Sequence, residues 1–250
     1  MSGHSKWSSI KHKKGAADAK RGQLFTKLAR AIQVAARDGG PDPAGNATLA
    51  TAVQKARDAS MPKDNIERAI AKGAGSDADA AAWETAVYEG YAPCGVAVLV
   101  ETLTDNRNRT GSEVRHIFSR SGGSLGEPGS VAWNFEKKGV VLVDVERHDE
   151  DELIVAIDAG AEDLVRDENV WEIVTAPGDL AAVRAALEEG AVEIQAADLT
   201  MRPQTKVEVD EGQVASLLRL LEALEDQDDV AAVHANFDVD AATLERLAPA

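Results

Sequence analysis

The side chains with the clearest chemical potential in this 250-residue chain stand in its first thirty residues. Lysine, arginine, histidine and tryptophan are interleaved there with serine, and such groups neutralise phosphates and stack on unpaired bases. The candidate nucleic-acid-binding residues of this segment are Lys6, Trp7, Lys11, His12, Lys13, Lys14, Lys20, Arg21 and Lys27. The alternative is a disordered solubilising tail with Trp7 packed on the helices that follow.

Charge divides the chain into a basic beginning and an acidic remainder. The first forty residues hold nine Lys or Arg against two Asp, although the whole chain has a net charge of −16. Residues 81–250 hold 13 basic and 35 acidic side chains. Because an acidic surface repels a polyanion, we expect nucleic-acid contacts only at the N-terminal region and at local basic loops. Arg107 and Arg109 form one such loop.

Several motifs resemble those of a known family. They are Gly3–Lys14, Met61–Ile70, Tyr88–Tyr91, Thr104–Thr110 and Gly122–Gly126. On these residues the chain resembles the YebC/PmpR family of bacterial regulatory proteins, which includes the mitochondrial translational activator of cytochrome oxidase. The resemblance implies transcriptional regulation through DNA, or translational regulation through messenger RNA, ribosomal RNA or the ribosome. The turn Ala92–Gly95 departs from the glycine-richer family pattern.

The sequence predicts an α+β protein, with an N-terminal three-helix bundle followed by two ferredoxin-like α/β domains, the second inserted into the first. The basic arm of residues 1–20 should precede a helix from Gln23 to about Gly39. A second helix over roughly 44–59 and a third from Pro62 to Gly73 complete the bundle. The predicted inward-facing residues are Leu24, Leu28, Ile32, Ala35, Leu49, Val53, Ala56, Ile66 and Ile70.

The third helix has capping-box spacing at Asp64 and Glu67. Together with the second helix it has the arrangement of a helix-turn-helix that reads a major groove. Two carboxylates at its start would repel phosphates, so we favour a helix that only packs.

Residues 81–250 alternate between strand and helix patterns. We predict a strand over 96–102, a helix capped by Thr110 and Glu113, and a strand over 131–135. A β-α-β-β-α-β plait follows over 138–202. A last β-α-β segment over 206–237 lacks a partner unless it completes the earlier half. The predicted domains are therefore 1–80, 81–137 plus 203–240, and 138–202.

Two further segments have more than one interpretation. The loop 105–110 either forms a turn and helix cap, or uses Arg107 and Arg109 to contact an anion or RNA. The segment Gly122–Gly129 resembles a phosphate-binding loop only superficially, because no Gly-Lys-Ser and no helix follow it. We interpret it as a flexible loop.

Catalytic and metal-binding patterns are scarce. The five histidines lack metal-ligand spacing, the single cysteine Cys94 has no neighbouring base, and acidic runs such as 225–229 read as solvated helix ends. We therefore expect no enzymatic activity, no cofactor and no metal. The alternatives are a small-molecule sensor or a protein-binding adaptor built on the ferredoxin-like domains. No apolar stretch is long enough for a signal or a membrane span, so we expect a cytoplasmic protein without a membrane partner.

Overall fold

The computed structural model describes Trp7 and residues 18–75 and 83–247. Its helices are α1 (Asp18–Gly39), α2 (Ala47–Asp58), α3 (Lys63–Ala74), α4 (Arg107–Arg120), α5 (Glu150–Asp158), α6 (Leu180–Glu189), α7 (Glu211–Glu225) and α8 (Ala241–Leu247). Its strands are β1 (Glu84–Tyr91), β2 (Ala97–Thr104), β3 (Ser124–Leu125), β4 (Phe135–Asp144), β5 (Ala161–Asp167), β6 (Val170–Thr175), β7 (Ile194–Pro203), β8 (Val207–Glu208), β9 (Val230–Ala235) and β10 (Phe237–Asp238). Among the described helices, none combines the length and apolarity needed to cross a bilayer.

Helices α1, α2 and α3 form the predicted bundle around an apolar core. The core is built from Leu28, Ile32, Ala35, Leu49, Val53, Ala56 and Ile66. Two details differ from the prediction: α1 begins at Asp18, five residues early, and Leu24 is exposed. The sequence pattern located this bundle because each helix buries residues at a regular spacing of three and four.

Helix α3 corrects two expectations. No side chain caps its start, since Pro62 occupies that position, and Glu67 instead forms an ion pair with Lys63. Gly73 does not stop the helix, which continues to Ala74. A Cβ at Gly73 would lie 2.2 Å from the carbonyl oxygen of Gln33 in α1. The glycine therefore allows two helix backbones to approach each other closely.

The first sheet has the strand order β3-β1-β2-β9 and is antiparallel throughout. Strands β2 and β9 pair from Val98 with Ala235 to Thr102 with Val230. The two strands are far apart in the sequence, and the second sheet lies between them in the chain. Strand β1 lies between β3 and β2 in the sheet. It forms an antiparallel hairpin with β2, and α4 connects β2 to β3. Helices α4 and α7 pack on one face through residues such as Val114, Phe118 and Leu217.

Strand β1 was not predicted, and the strand predicted over 131–135 is wrong. Two glutamates and a glycine weaken the strand signal of β1. Residues Ala132–Asn134 form a 3₁₀ turn. The reason is Glu89, whose carboxylate accepts hydrogen bonds from the Val131 and Ala132 amides at 2.7 and 2.8 Å and so turns this segment away from a sheet ladder.

The second sheet has the order β5-β6-β4-β7, again antiparallel. With α5 and α6 it forms the predicted β-α-β-β-α-β plait, around a core that includes Leu153, Ile173 and Leu187. It lies in sequence between β3 and β9 of the first sheet, so the predicted fold class is confirmed. The numerical domain limits, 81–137 plus 203–240 and 138–202, stay a prediction.

Ion pairs join the bundle to the inserted domain. Arg184 of α6 makes a two-pronged contact with Asp58 at the end of α2, with distances of 2.7 and 2.8 Å. Hydrogen bonding to Asp58 raises the pKa of Arg184. Lys55 lies 3.1 Å from Asp198 of β7. The bundle is thus held against the inserted domain by side-chain contacts.

Candidate nucleic-acid interface

Most of the predicted basic arm lies outside the described residues. This applies to Lys6, Lys11, His12, Lys13 and Lys14, and only the backbone of Lys20 is described, within α1. Arg21 is exposed near the start of that helix. The arm as predicted ended at residue 20, but its last three residues already belong to α1.

Trp7 is placed differently from every expectation. Its side chain is 2% exposed and belongs to the core shared by β2, α4 and α7, with Val214 and Leu221 among its members. It therefore packs on the discontinuous domain rather than on the bundle, and its ring has no open face for a base. Burial of an indole in such a core stabilises the fold by a few kcal/mol.

Lys27 and Arg30 of α1 face the C-terminal end of α7. The Lys27 ammonium donates to the carbonyl oxygen of Glu225. Arg30 donates to the carbonyl oxygen of Asp228 at 2.9 Å, and its guanidinium lies 4.5 Å from the ring centre of Trp83. Cations here complement the negative end of the helix dipole. Lys27 thus serves domain docking.

Burial lowers the pKa of Lys27, although Asp228, Asp226 and Glu225 act in the opposite direction. Desolvation disfavours the charged amine, and nearby carboxylates favour it. A half-buried lysine whose proton already points at a carbonyl is poorly available to a phosphate.

Asp229 is the centre of a polar cluster that the sequence did not reveal. Its carboxylate accepts hydrogen bonds from Thr110 at 2.7 Å, Arg109 at 3.1 Å and Thr104 at 3.3 Å. Arg30 approaches its other oxygen at 3.5 Å. The prediction of a solvated acidic run over 225–229 is wrong for this residue, because Asp229 is 4% exposed.

The pKa of Asp229 is lowered even though burial alone would raise it. The hydrogen bonds from Thr110 and Arg109, and the positive charges of Arg109 and Arg30, stabilise the ionised form. The cluster ties α1, α4 and the start of β9 together. Only the run of like charges around Asp229 hinted that one of these carboxylates needed a cationic partner.

The loop 105–110 forms a helix cap, as the first of its two interpretations predicts, although a different residue makes the cap. Asn106, not Thr110, caps α4 by accepting from the Arg109 amide at 3.1 Å, and Thr110 is buried in the Asp229 cluster. Arg109 is held by Asp105 at 2.7 Å and by Asp229. Arg107 is 61% exposed, with Glu84 at 3.8 Å. Of the two predicted arginines, Arg107 is the one with a guanidinium open to solvent on most of its surface.

The segment 122–134 is fixed at its far end by Glu89. This carboxylate accepts from the amides of Gly129, Val131 and Ala132 at 2.6–2.8 Å. Burial tends to raise the pKa of Glu89, but these three bonds bring it below the usual value. The backbone amides thus bind an internal carboxylate, which leaves them unable to bind a phosphate.

Beside this loop, two exposed aromatic rings share one acceptor. The Tyr91 hydroxyl and the Trp133 indole each donate to the Ser130 carbonyl oxygen at 3.0 Å. Trp133 is 68% exposed, the largest value among the exposed apolar side chains described. Of these two indoles, Trp133 is therefore the one exposed to solvent, and Trp7 is buried.

Two kinds of reactive group bear on catalysis among the described residues: metal ligands and a thiol. No group of three or more His, Cys, Asp or Glu side chains among them is arranged to hold a metal ion. The Cys94 thiol donates to Gln213, and burial together with Asp210 raises its pKa, so the reactive thiolate is disfavoured.

A polar hollow lies in the inserted domain. Val145, His148, Asp149, Arg166 and Trp171 line it. Two of its polar groups have partners: His148 contacts Glu152 and accepts from the Glu193 amide, and Arg166 lies over the Trp171 ring.

Comparison with known proteins covers nearly all of the chain. A family model described as the TACO1/YebC N-terminal domain matches residues 5–76, and one described as the TACO1/YebC second and third domain matches residues 83–237. A crystal structure of a conserved hypothetical protein from Aquifex aeolicus has 49% sequence identity and a TM-score of 0.78, covering 88% of this chain and 91% of that one.

Sequence relatives have the same extent. A protein of Rubrobacter xylanophilus is 56% identical over 240 residues, covering 96% of both chains. One from Acidothermus cellulolyticus is 54% identical over 245 residues, covering 98% of this chain and 99% of its own. Both bear the name probable transcriptional regulatory protein. Two family models and full-length relatives at this identity agree, and the chain belongs to the TACO1/YebC family.

Proposed function

We propose that this chain is a non-enzymatic regulator of gene expression that binds nucleic acid through its basic N-terminal segment. The supporting observation is the charge asymmetry: nine basic against two acidic residues in the first forty, on a chain of net charge −16. Relatives named as probable transcriptional regulatory proteins support a regulatory role. The cytoplasm, where both nucleic acids and ribosomes are present in bacteria, is the proposed location.

The proposed contacts are a revised form of the sequence prediction. Lys6, Lys11, His12, Lys13, Lys14, Lys20, Arg21 and Arg107 remain in the set. Trp7, Lys27 and Arg109 are taken out of it, because each already has an intramolecular role in the core or at a domain junction. Phosphates and sugars are the expected partners of the remaining cations.

DNA and RNA are both targets consistent with this chemistry. The names of the relatives favour DNA. The start of α3 favours a target other than a major groove, because Asp64 is exposed there and Lys63 is paired with Glu67. Interleaved Lys, His and Ser suit irregular backbones and unpaired bases, which are characteristic of RNA. Promoter-fragment retention compared with ribosome co-sedimentation at moderate salt separates the two targets.

The first test reverses charge in the segment without shortening it. Removing residues 1–22 would also remove Trp7 from the core and confound binding with stability. The variant Lys11→Glu/Lys13→Glu/Lys14→Glu is compared with Arg147→Glu/Arg219→Glu/Arg246→Glu, which reverses the same number of charges at three exposed arginines elsewhere. Fluorescence anisotropy with mixed-sequence oligonucleotides should show loss of affinity only in the lysine variant.

Salt dependence gives a second measure of the same proposal. If five phosphates are contacted, the logarithm of the binding constant should fall with the logarithm of salt concentration at a slope of about −3.5 for single strands and −4.5 for duplex. If the lysine variant bound as tightly as wild type and had the same salt slope, the proposal would be contradicted.

A further inference from the structure

Helix α4 is a basic element in the acidic part of the molecule. Its fourteen residues include Arg107, Arg109, Arg115, Arg120 and His116, against the single acid Glu113. The segment 81–250 that contains it has 13 basic and 35 acidic side chains. Solvation of a helix surface does not require charges of one sign. The excess of positive charge on α4 therefore needs another physical reason.

Two of the four arginines of α4, Arg115 and Arg120, lie beside its outer face. Thr110, Val114 and Phe118 are buried. The opposite side exposes hydrogen-bonding side chains without negative charge, namely Asn108, Ser112, His116 and Ser119, flanked by Arg115 and Arg120. Glu113 is engaged by the Gln227 amide at 2.6 Å.

The outer cations of α4 are not used inside the protein. In the described part of the chain, no hydrogen bond or ion pair involves Arg115, His116 or Arg120 beyond the helix itself. This distinguishes them from Lys27 and Arg30 of α1, which hold two domains together. Charge at Arg115 and Arg120 is therefore available to a partner.

The beginning of α4 adds a second, independent observation. Cations in the first turn of a helix oppose the helix dipole, yet α4 has Arg107 and Arg109 there and no acid. Arg109 is compensated by Asp105 and Asp229. Arg107 has only Glu84 at 3.8 Å, an exposed pair that contributes little. An external anion beside Arg107 would remove this unfavourable arrangement.

We propose that the outer face of α4 lies along the sugar-phosphate backbone of the nucleic acid. This rests on the proposed nucleic-acid-binding function and gives it a second contact surface. Arginine, serine and asparagine are the side chains that contact phosphate and sugar oxygens. The helix from Arg107 to Arg120 is about 20 Å long, and phosphates of one duplex strand succeed each other every 3.4 Å or so along the axis. Several phosphates are therefore within its span.

The test compares charge reversal on α4 with charge reversal elsewhere on the surface. Arg115→Glu/Arg120→Glu is compared with Arg147→Glu/Arg246→Glu, two exposed arginines elsewhere that undergo the same change. Anisotropy with a mixed-sequence single strand and its duplex, over a salt series, should show weaker binding in the α4 variant only. The salt slope should become less negative by about two units on duplex DNA. Arg115→Lys/Arg120→Lys should bind like wild type, because lysine keeps the charge.

The outcomes distinguish this inference from the function on which it rests. If the Lys11/Lys13/Lys14 variant loses binding while the α4 variant binds and responds to salt like wild type, the α4 contact is wrong and the proposed function stands. If wild type binds neither oligonucleotide, both are wrong. If the α4 variant retains nucleic acid but loses an acidic protein partner in crosslinking after nuclease treatment, the face is a protein-docking surface and the inference is overturned.

Discussion

Arg30 of α1 and Arg109 of α4 approach the same carboxylate, Asp229, from two basic helices. Beyond this shared point the helices differ. The described cations in the middle of α1, Lys27 and Arg30, face the end of α7 and hold the bundle in place. Most cations of α4 face solvent. Positive charge in a sequence therefore identifies possible anion contacts, and only the packing shows which cations remain available.

The largest effect on stability is expected at Trp7, a buried side chain that packs against α4 and α7. Trp7→Ala should lower the free energy of unfolding by about 3–5 kcal/mol, since it empties a large core position. Trp133→Ala, in an exposed indole, is the matched control and should cost well under 1 kcal/mol. Denaturant unfolding monitored by circular dichroism measures both. Equal losses would mean that Trp7 is not a core residue.

Asp229 should give the next largest effect, because both basic helices meet there. Asp229→Asn keeps the size of the side chain but removes the charge that Arg30, Arg109 and Thr110 share. We expect a loss of about 2 kcal/mol in the free energy of unfolding. Asp228→Asn, one residue earlier and more exposed, is the control. A neutral result at Asp229 would show that the helices do not depend on their common partner.

The pH dependence of stability sharpens the same point. The pKa of Asp229 is lowered in the folded protein, so its contribution is fully present above the unfolded carboxyl pKa of about 4 and is lost as pH falls through the folded value. Between pH 7 and pH 3, wild type should lose more unfolding free energy than Asp229→Asn. Parallel pH curves for the two proteins would contradict this assignment.

A smaller effect should separate the two helices directly. Arg30→Ala removes a hydrogen bond to the Asp228 carbonyl and the contact with the Trp83 ring. It should cost about 1–2 kcal/mol. Arg115→Ala on α4 removes no described contact and should change stability by less than about 0.5 kcal/mol. Thermal unfolding of the two variants tests whether Arg30 of α1 stabilises the fold and Arg115 of α4 does not.

Local patterns were sufficient for much of the fold. The spacing of Leu49, Val53 and Ala56 located α2, and the inserted plait was predicted from its alternating strands and helices. Pairing of β2 with β9 was inferred because an unpartnered β-α-β segment needs a sheet. Each of these rests on periodicity or on the need to pair strand edges.

The parts that were missed depend on distant contacts. Strand β1 has a weak local signal and is defined by its neighbours β2 and β3. The burial of Asp229 could not be predicted from the acidic run around it, because its partners Thr110 and Arg109 lie 119 and 120 residues away in the sequence. Trp7 looks like a ligand-facing aromatic until the core that surrounds it is known. The candidate site was therefore predictable in charge but not in the direction of its side chains.

The buried indole near the start of the chain has a topological consequence. Trp7 is buried in the core shared by β2, α4 and α7, and α1 begins at Asp18. Lys11, Lys13 and Lys14 therefore lie in the sequence between a core side chain and the first helix of the bundle. A single proteolytic cut between Trp7 and Asp18 would detach the core indole from the rest of the chain without removing a charge.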